Sequence, residues 1–518
     1  MKKINAAILI LSICLNFIFA NVQDENFNGE IISEQQIEYV DINTATAINS
    51  KVSFRQLKDD IVELKYLLQT CYAGYEEAVS RGLDLEKFEQ NILNYFSEEK
   101  YQQPNLISTD EISFVIYKEL KNYFIDNHFY IYGANSSFVL SPCKRILYSN
   151  IYVKQKGEKY FVIESDIPEI KIKSEYTGDK SNLFLYPAKK GKNIYRLGYF
   201  KTLESIKQEN VEEKIKLSFD NQEFDVLVKE YKNLENKNWY FGQHETKDSI
   251  YFSASSFMNP PGYSAYKTYF EKNIKKYIEL AKNYNHKKNI IIDLRSNTGG
   301  VANYSEEMLY KLYTGNYDEE FDLNSDFFSK LENIYSQKFY VESPTLIKAE
   351  IELLKNYKII EGEYLNNQIE YFEKFAKNPV RYFIKDKNEK LSLGENKFKG
   401  NVIIISDRTS ASASECTILT AKALFGKTNN FYLVGENSLG CYAYGGVYSY
   451  QGRNGSFMVT LSNTKNEFSF DDKKFELEGI GILPDYWSTN EDLLQTLISI
   501  TGDKNLQKTL SGIETSLK

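Results

Sequence analysis

Two segments of the chain end an apolar run with small, hydroxylated or charged residues, the types that can attack or bind a carbonyl group. In the first, the run Val-Ile-Ile-Ile at 402–405 gives way to Ser410, Ser412 and a helical pattern. A serine at such a strand-to-helix junction is exposed at the end of a sheet, and the first free N–H groups of the helix can stabilise a developing oxyanion. Ser412 is therefore a candidate nucleophile beside a candidate oxyanion site.

The same junction also has a purely structural interpretation. Ser412-Ala-Ser-Glu415 fits a capping box, in which the serine hydroxyl accepts from the third helical N–H and Glu415 accepts from the Ser412 amide. Most serines with this spacing serve only as caps, so the catalytic interpretation depends on other parts of the chain.

The second segment, 289–300, has the pattern of a buried strand that ends in a polar turn and a glycine pair. Gly299 and Gly300 can bring their N–H groups close to an oxygen anion because no Cβ obstructs the approach. The structural alternative is a plain helix-entry turn in which Asp293 and Arg295 form an ion pair.

The residues before these segments divide into two regions with different periodicity. Between 51 and 134, apolar residues recur at three- and four-residue steps, as Leu57, Ile61 and Leu64 do, which predicts an N-terminal helical domain. Between 135 and 246, short alternating runs separated by turn residues predict a small β domain.

Strand-like and helical segments alternate from 247 to 500, which indicates an α/β core. The strand candidates of this region are 250–254, 289–294, 401–406 and 431–434. An insertion at 302–400 interrupts the core, and it has helical spacing at Ile347, Ile351 and Leu354 and again at Ile369, Phe372 and Phe375. The fold class is therefore multidomain α/β, with a helical domain, a β domain and a core that carries a helical insertion.

The start of the chain has the composition of a secretory signal, because a lysine pair precedes an apolar stretch that runs to residue 20. We therefore predict a signal peptide at 1–20, a polar linker at 21–50 and a C-terminal tail at 501–518. The mature protein is expected to be secreted or periplasmic. Lipid anchoring is not expected, because the bulky Ile13 precedes Cys14.

Composition excludes several classes of function. The net charge is −8 over 518 residues and no long basic run occurs, so nucleic acid is not an expected partner. No apolar stretch after the signal approaches the length of a membrane span. The remaining cysteines, which are Cys71, Cys143, Cys416 and Cys441, are too widely spaced for a metal motif, and no metal or cofactor is expected.

The order and spacing of the motifs resemble those of the tail-specific, or C-terminal-processing, serine peptidases. The resemblance covers about 247–490 and depends on Asp-Leu-Arg-Ser-Asn-Thr-Gly-Gly at 293–300, Ser-Ala-Ser-Ala-Ser-Glu at 410–415 and Val-Gly-Glu-Asn-Ser-Leu-Gly at 434–440. It implies that Ser412 is the nucleophile and that the core is of the ClpP/crotonase-like type. It also makes a PDZ-like module one interpretation of the β domain.

The sequence departs from the best-known branch of these peptidases, which uses a Ser-Lys dyad. Cys441 stands where the resemblance would place the lysine. The sequence instead resembles the tricorn-core-like branch, in which a histidine before the core is the base. His128, in Asp126-Asn-His128, matches the motif of that branch, and His244 is the second candidate.

The base needs a partner that fixes its tautomer. The segment 475–485 resembles the closing Gly-x-x-Pro-Asp motif of the family, and the resemblance implies that Glu478 is the partner, with Asp126 as the alternative. The predicted function is a serine endopeptidase that hydrolyses peptides or proteins through an acyl-enzyme. Ser412 attacks, His128 transfers the proton and Glu478 orients the imidazole. The base and the nucleophile lie in different predicted domains, so activity is expected to depend on domain closure.

The expected oxyanion donors are the Ala413 N–H and one N–H of Gly299 or Gly300. The alternative function, motivated by Cys441, is a catalytically inactive peptide- or lipid-binding member of the same fold. The sequence does not indicate an oligomeric state.

Overall fold

The computed structural model describes most of the chain outside its two termini and the insertion. The described residues are 48–97, 106–140, 142–189, 193–203, 211–231, 243–254, 256–257, 263–318, 336–341, 381–384, 394–428, 430–470 and 473–507. The predicted signal peptide, most of the predicted linker and most of the C-terminal tail lie outside them. So do the helices predicted around Ile347, Ile351, Leu354, Ile369, Phe372 and Phe375.

The described residues contain eight α-helices. They are α1 (Phe54–Cys71), α2 (Tyr75–Ser80), α3 (Leu85–Ser97), α4 (Thr109–Leu120), α5 (Tyr263–Tyr284), α6 (Asn303–Thr314), α7 (Ala413–Phe425) and α8 (Leu493–Thr501). The predicted helical pattern at Leu57, Ile61 and Leu64 is confirmed, and all three side chains are buried on α1. Within the described helices, none is long and apolar enough to cross a lipid bilayer.

The described residues also contain twenty-two β-strands. They are β1 (Lys51–Val52), β2 (Ile107–Ser108), β3 (Asp126–Tyr132), β4 (Ser137–Leu140), β5 (Cys143–Lys156), β6 (Lys159–Glu164), β7 (Glu175–Tyr176), β8 (Leu183–Leu185), β9 (Ile194–Leu203), β10 (Glu212–Phe219), β11 (Gln222–Lys229), β12 (Gln243–Glu245), β13 (Ser249–Ser253), β14 (Asn289–Asp293), β15 (Ser336–Val341), β16 (Arg381–Ile384), β17 (Asn401–Ser406), β18 (Phe431–Gly435), β19 (Tyr444–Gln451), β20 (Met458–Phe470), β21 (Lys473–Phe475) and β22 (Tyr486–Trp487).

A six-stranded sheet in the order β12-β13-β14-β17-β18-β22 forms the α/β core. Its strands pair in parallel except for β12 on β13. Ile290 and Ile292 face a core cluster with α5, α6 and α7, whereas Ile291 faces a second cluster with α8. Burial on both faces explains why β14 is apolar without alternation. The four predicted core strands are therefore present, and the mixed α/β class is confirmed.

A second sheet joins the N-terminal part of the chain to the C-terminal part, in the order β16-β15-β20-β3-β4. Met458 and Val459 of β20 pair with Tyr132 and Ile131 of β3. His128 therefore lies on a strand of this sheet. The strand that carries His128 is thus held to the C-terminal part of the chain by strand pairing.

The third large sheet has the order β11-β10-β7-β6-β5-β9-β8, and β11 also pairs with β5. Its Arg196 is buried, with the guanidinium carbon 4.5–5.3 Å from the ring centres of Tyr148, Tyr152, Tyr186 and Tyr231. The Tyr186 hydroxyl donates to Asp492 Oδ2 at 2.7 Å, which connects this sheet to the α/β core. The PDZ-like interpretation stays a prediction.

Candidate active site

Ser412 lies directly before α7, in the loop that follows β17. Its backbone has φ 54° and ψ −115°, and a residue held in such a sparsely populated region costs about 1–3 kcal/mol. The predicted capping box forms, and the Ser412 N–H donates to Glu415 Oε2 at 3.1 Å. An ordinary N-cap residue is extended, so capping alone does not account for this conformation.

The glycine turn packs directly against Ser412, as it should if both segments serve one site. Gly299 has φ 103°, and a Cβ at this position would lie 2.8 Å from Ser412 Cβ and 2.9 Å from the Ala411 carbonyl oxygen. Only glycine fits both this angle and this approach. The two segments meet because β14 and β17 are parallel neighbours, so that the turns after them lie at the same edge of the sheet.

The Asp293–Arg295 pair at the start of this turn is structural. Arg295 donates to Asp293 through Nε and Nη2, with the shortest bond 2.6 Å long. Both side chains are buried, and Tyr251 donates to Asp293 Oδ2 at 2.5 Å. The structural interpretation of the sequence predicts this ion pair between the two residues, and the pair is present. It stabilises the start of the glycine turn.

Asn297 distinguishes the two glycine N–H groups of the turn. Its side-chain oxygen accepts the Gly299 N–H at 2.9 Å, and its side-chain nitrogen donates to the Ala254 carbonyl at 2.7 Å. Within the described part of the chain, no hydrogen bond engages the N–H of Gly300 or that of Ala413. Of the two glycines offered by the sequence, Gly300 is therefore the candidate oxyanion donor, because the Gly299 N–H is already engaged.

Gly299→Ala should lower turnover by about two to three orders of magnitude, because the new Cβ would displace Ser412 or the donor beside it. It should also reduce the free energy of unfolding. Steady-state kinetics and denaturant unfolding measure the two effects. Gly502→Ala is the matched control, because Gly502 also has a positive φ (71°) but nothing lies within 4 Å of its added Cβ. The control should cost about 1 kcal/mol of stability and no activity; equal turnover in both variants would contradict the prediction.

His128 is buried on β3 beside Cys441. Cys441 Sγ lies 3.3 Å from His128 Nε2 and 3.6 Å from Nδ1. Burial lowers the pKa of His128 from 6.5 to about 4, and a hydrogen bond with the Tyr444 backbone opposes this shift. The imidazole is therefore neutral at neutral pH, which is the form that a general base requires.

Glu415 connects the Ser412 segment to the Cys441 segment. Its Oε2 accepts both the Ser412 N–H and, at 2.7 Å, the Cys441 N–H. Its Oε1 accepts the Gly440 N–H at 2.8 Å and the Ser438 hydroxyl at 2.6 Å. The helix cap therefore also fixes the residue that touches His128. Burial raises the pKa of Glu415 to about 7, and these four donors act against the shift.

Glu478 accepts backbone N–H groups from both segments that meet at the contact between His128 and Cys441. Its Oε1 accepts the Asn127 N–H at 2.7 Å and its Oε2 accepts the Ala443 N–H at 3.0 Å. The predicted direct bond to the imidazole does not occur among these contacts, so Glu478 positions the chain around His128. Asp126, the alternative partner, accepts the backbone N–H of His128 through Oδ1 at 2.7 Å. Burial raises the pKa of both carboxyls, and that of Asp126 reaches about 7.

His244 lies on β12, at the edge of the core sheet and opposite Tyr251 of β13. Three strand spacings, or about 14 Å, separate β12 from β17, whose end leads to Ser412. The structure therefore favours His128 over His244 as the candidate base.

The sequence of the core matches a family of known peptidases. Residues 261–488 match the model of peptidase family S41. This match supports membership of peptidase family S41. The protein is a serine-type peptidase, and its substrates are peptides or proteins. The matched stretch contains Gly300, Ser412, Cys441 and Glu478 but not His128, so the candidate base is not part of the family match.

The solved structures that match the chain include proteases, and no curated protein sequence matches the chain. Mature CPAF is 12% identical with a TM-score of 0.40, covering 90% of this chain and 98% of that one. The photosystem II D1 C-terminal processing protease is 11% identical with a TM-score of 0.33, covering 85% and 94%. The tricorn protease is 15% identical with a TM-score of 0.30, covering 90% and 37%. At these values the family assignment depends on the sequence match.

Proposed function

We propose that this S41 peptidase is an endopeptidase that hydrolyses peptide bonds through an acyl-enzyme on Ser412. The packing of Gly299 against Ser412 is the observation that carries the proposal, because it places the glycine turn, in which Gly300 is the next residue, against the N-terminus of α7. Attack of the Ser412 hydroxyl oxygen on a carbonyl carbon creates an oxyanion, which the N–H groups of Ala413 and Gly300 stabilise.

In this proposal His128 is the general base. It takes the Ser412 hydroxyl proton and returns it to the leaving amine, and it then activates the water that releases the acyl group. Its low pKa supports the role, since the neutral ring is available across the neutral range. Glu478 and Asp126 contribute by holding the backbone of 126–128, and the bond with the Tyr444 backbone fixes the ring.

The enzyme is proposed to act outside the cytoplasm, in secreted or periplasmic form. The support for this location is the lysine pair and apolar stretch of residues 1–20. The net charge of −8 suits a soluble protein in such a compartment.

A fluorophosphonate probe should label the full-length protein at Ser412 and at no other serine, because only an activated hydroxyl displaces fluoride from the probe. Peptide mapping by mass spectrometry locates the adduct. Adduct formation on another serine would contradict the choice of nucleophile. A protein that stays unlabelled, with its fold intact, would support the inactive binding protein instead.

The labelling rate should stay level from about pH 8 to pH 5 and fall by half near pH 4, because protonation of His128 removes the base. The sign follows from the lowered pKa, since a base with a depressed pKa loses its proton-accepting form only in more acidic solution. Stopped-time labelling across this range measures the midpoint. A midpoint near pH 6.5, the ordinary histidine value, would contradict the buried base.

A further inference from the structure

The hydroxyl of Thr460 on β20 bridges the two backbone groups that flank Phe129. It donates to the His128 carbonyl oxygen and accepts the Tyr130 N–H at 2.8 Å. Thr460 is almost fully buried, with 1% of its surface exposed. Both hydrogen-bonding functions of its hydroxyl are therefore used on the strand that carries His128.

These two bonds occur where the regular pairing of β3 stops. On the β20 side, β3 is in register only at Tyr132 and Ile131. On the β4 side, its register shifts between Asp126 and Tyr130. A bulge of this kind leaves backbone groups without ladder partners. The Thr460 hydroxyl takes the place of the missing ladder bonds at this point.

The bulge matters because it turns two consecutive side chains toward one loop. Asn127 donates through Nδ2 to the Gly440 carbonyl at 2.7 Å, and the His128 ring contacts Cys441. In a regular strand, neighbouring side chains point to opposite faces. The irregular backbone at 126–130 is therefore what allows His128 to reach the Cys441 segment while Asn127 binds beside it.

We propose that Thr460 is a positioning residue for the base, which acts by holding the β3 bulge in the one conformation that aims the His128 ring at the active site. The inference rests on the proposed role of His128. Thr460 touches neither the nucleophile nor the oxyanion donors; it acts through the backbone on both sides of Phe129.

Thr460→Val tests the inference with little change in shape, because valine keeps the branched side chain and loses only the hydroxyl. Turnover and labelling rate should fall about 10- to 100-fold with KM nearly unchanged, since displacement of a catalytic group by about 1 Å has this effect. Thr460→Ser restores the hydroxyl and should recover most of the activity. A Thr460→Val enzyme with the wild-type kcat would overturn the proposal.

The matched control is Thr496→Val on α8. Thr496 is fully buried, and its hydroxyl bonds to the Asp492 carbonyl and to Ser488. Both valine variants should lower the unfolding midpoint, but only Thr460→Val should lower kcat. An equal loss of kcat in the control would show a general effect of lost stability, and would also overturn the proposal.

A double variant separates this inference from the proposed mechanism. If Thr460 acts through His128, then Thr460→Val should change residual turnover less than about twofold in the His128→Gln background, because the positioned group is already gone. A full additional loss there would overturn the positioning role. Wild-type activity in His128→Gln itself would overturn the base assignment instead, so the two failures have different readouts.

Discussion

Replacement of Ser412 by alanine should reduce turnover of a peptide substrate by about six orders of magnitude, because the loss of a serine nucleophile removes the covalent route altogether. The strained φ of 54° is nearly as unfavourable for alanine as for serine, and the Glu415 bond uses the backbone amide, which the variant keeps. The fold should therefore persist. Steady-state kinetics on a peptide substrate and thermal unfolding measure the two quantities.

The control for Ser412→Ala is Ser149→Ala. Ser149 is buried on β5, and its hydroxyl donates to the Leu197 carbonyl at 2.9 Å. This variant loses a buried hydroxyl without any contact to the candidate site, so it should lose stability and keep its turnover. Undiminished turnover in Ser412→Ala would contradict the proposed mechanism, whatever the control shows.

His128→Gln should lower turnover by about four to six orders of magnitude, because the serine hydroxyl is a poor nucleophile at neutral pH without a base. Glutamine is similar in size and polar, so it can occupy the buried site beside Cys441 without a cavity. Turnover and the rate of fluorophosphonate labelling should fall together, and the labelling step near pH 4 should vanish.

His244→Gln is the matched variant for this prediction. It changes the same residue type on β12, at the far edge of the core sheet, and it should leave turnover within about twofold of wild type, as for most surface substitutions. The opposite pattern, with activity lost in His244→Gln and kept in His128→Gln, would move the base to β12.

The contact between the glycine turn and the Ser412 segment can be predicted from the sequence, because its cause is local. Each segment follows an apolar run, and strand ends in a parallel sheet meet at one edge. Gly299 and Ser412 therefore come together as soon as β14 and β17 pair. The sequence does not predict which of the two glycines is the candidate donor. That choice depends on the side-chain orientation of Asn297.

The environment of His128 could not be predicted in the same way. A short motif identifies the histidine as a candidate, but its strand is fixed by pairing with β20, and the bond from Tyr130 to Thr460 spans 330 residues. The periodicity of apolar residues in the sequence does not predict a pairing between strands so far apart in the chain. Glu415 shows the same limit, because its cap is local whereas its bonds to Gly440 and Cys441 come from a distant loop.

The pairing of β3 with β20 also sets the order in which the enzyme can become active. The strand with His128 is made early, and its partner strand emerges about 330 residues later, which at about 5–20 residues per second is a delay of roughly 20–60 seconds. During that interval the nascent chain has its histidine but no β20 to hold it, and for much of it Ser412 is not yet synthesised. The candidate site would thus remain incomplete until β20 has been synthesised.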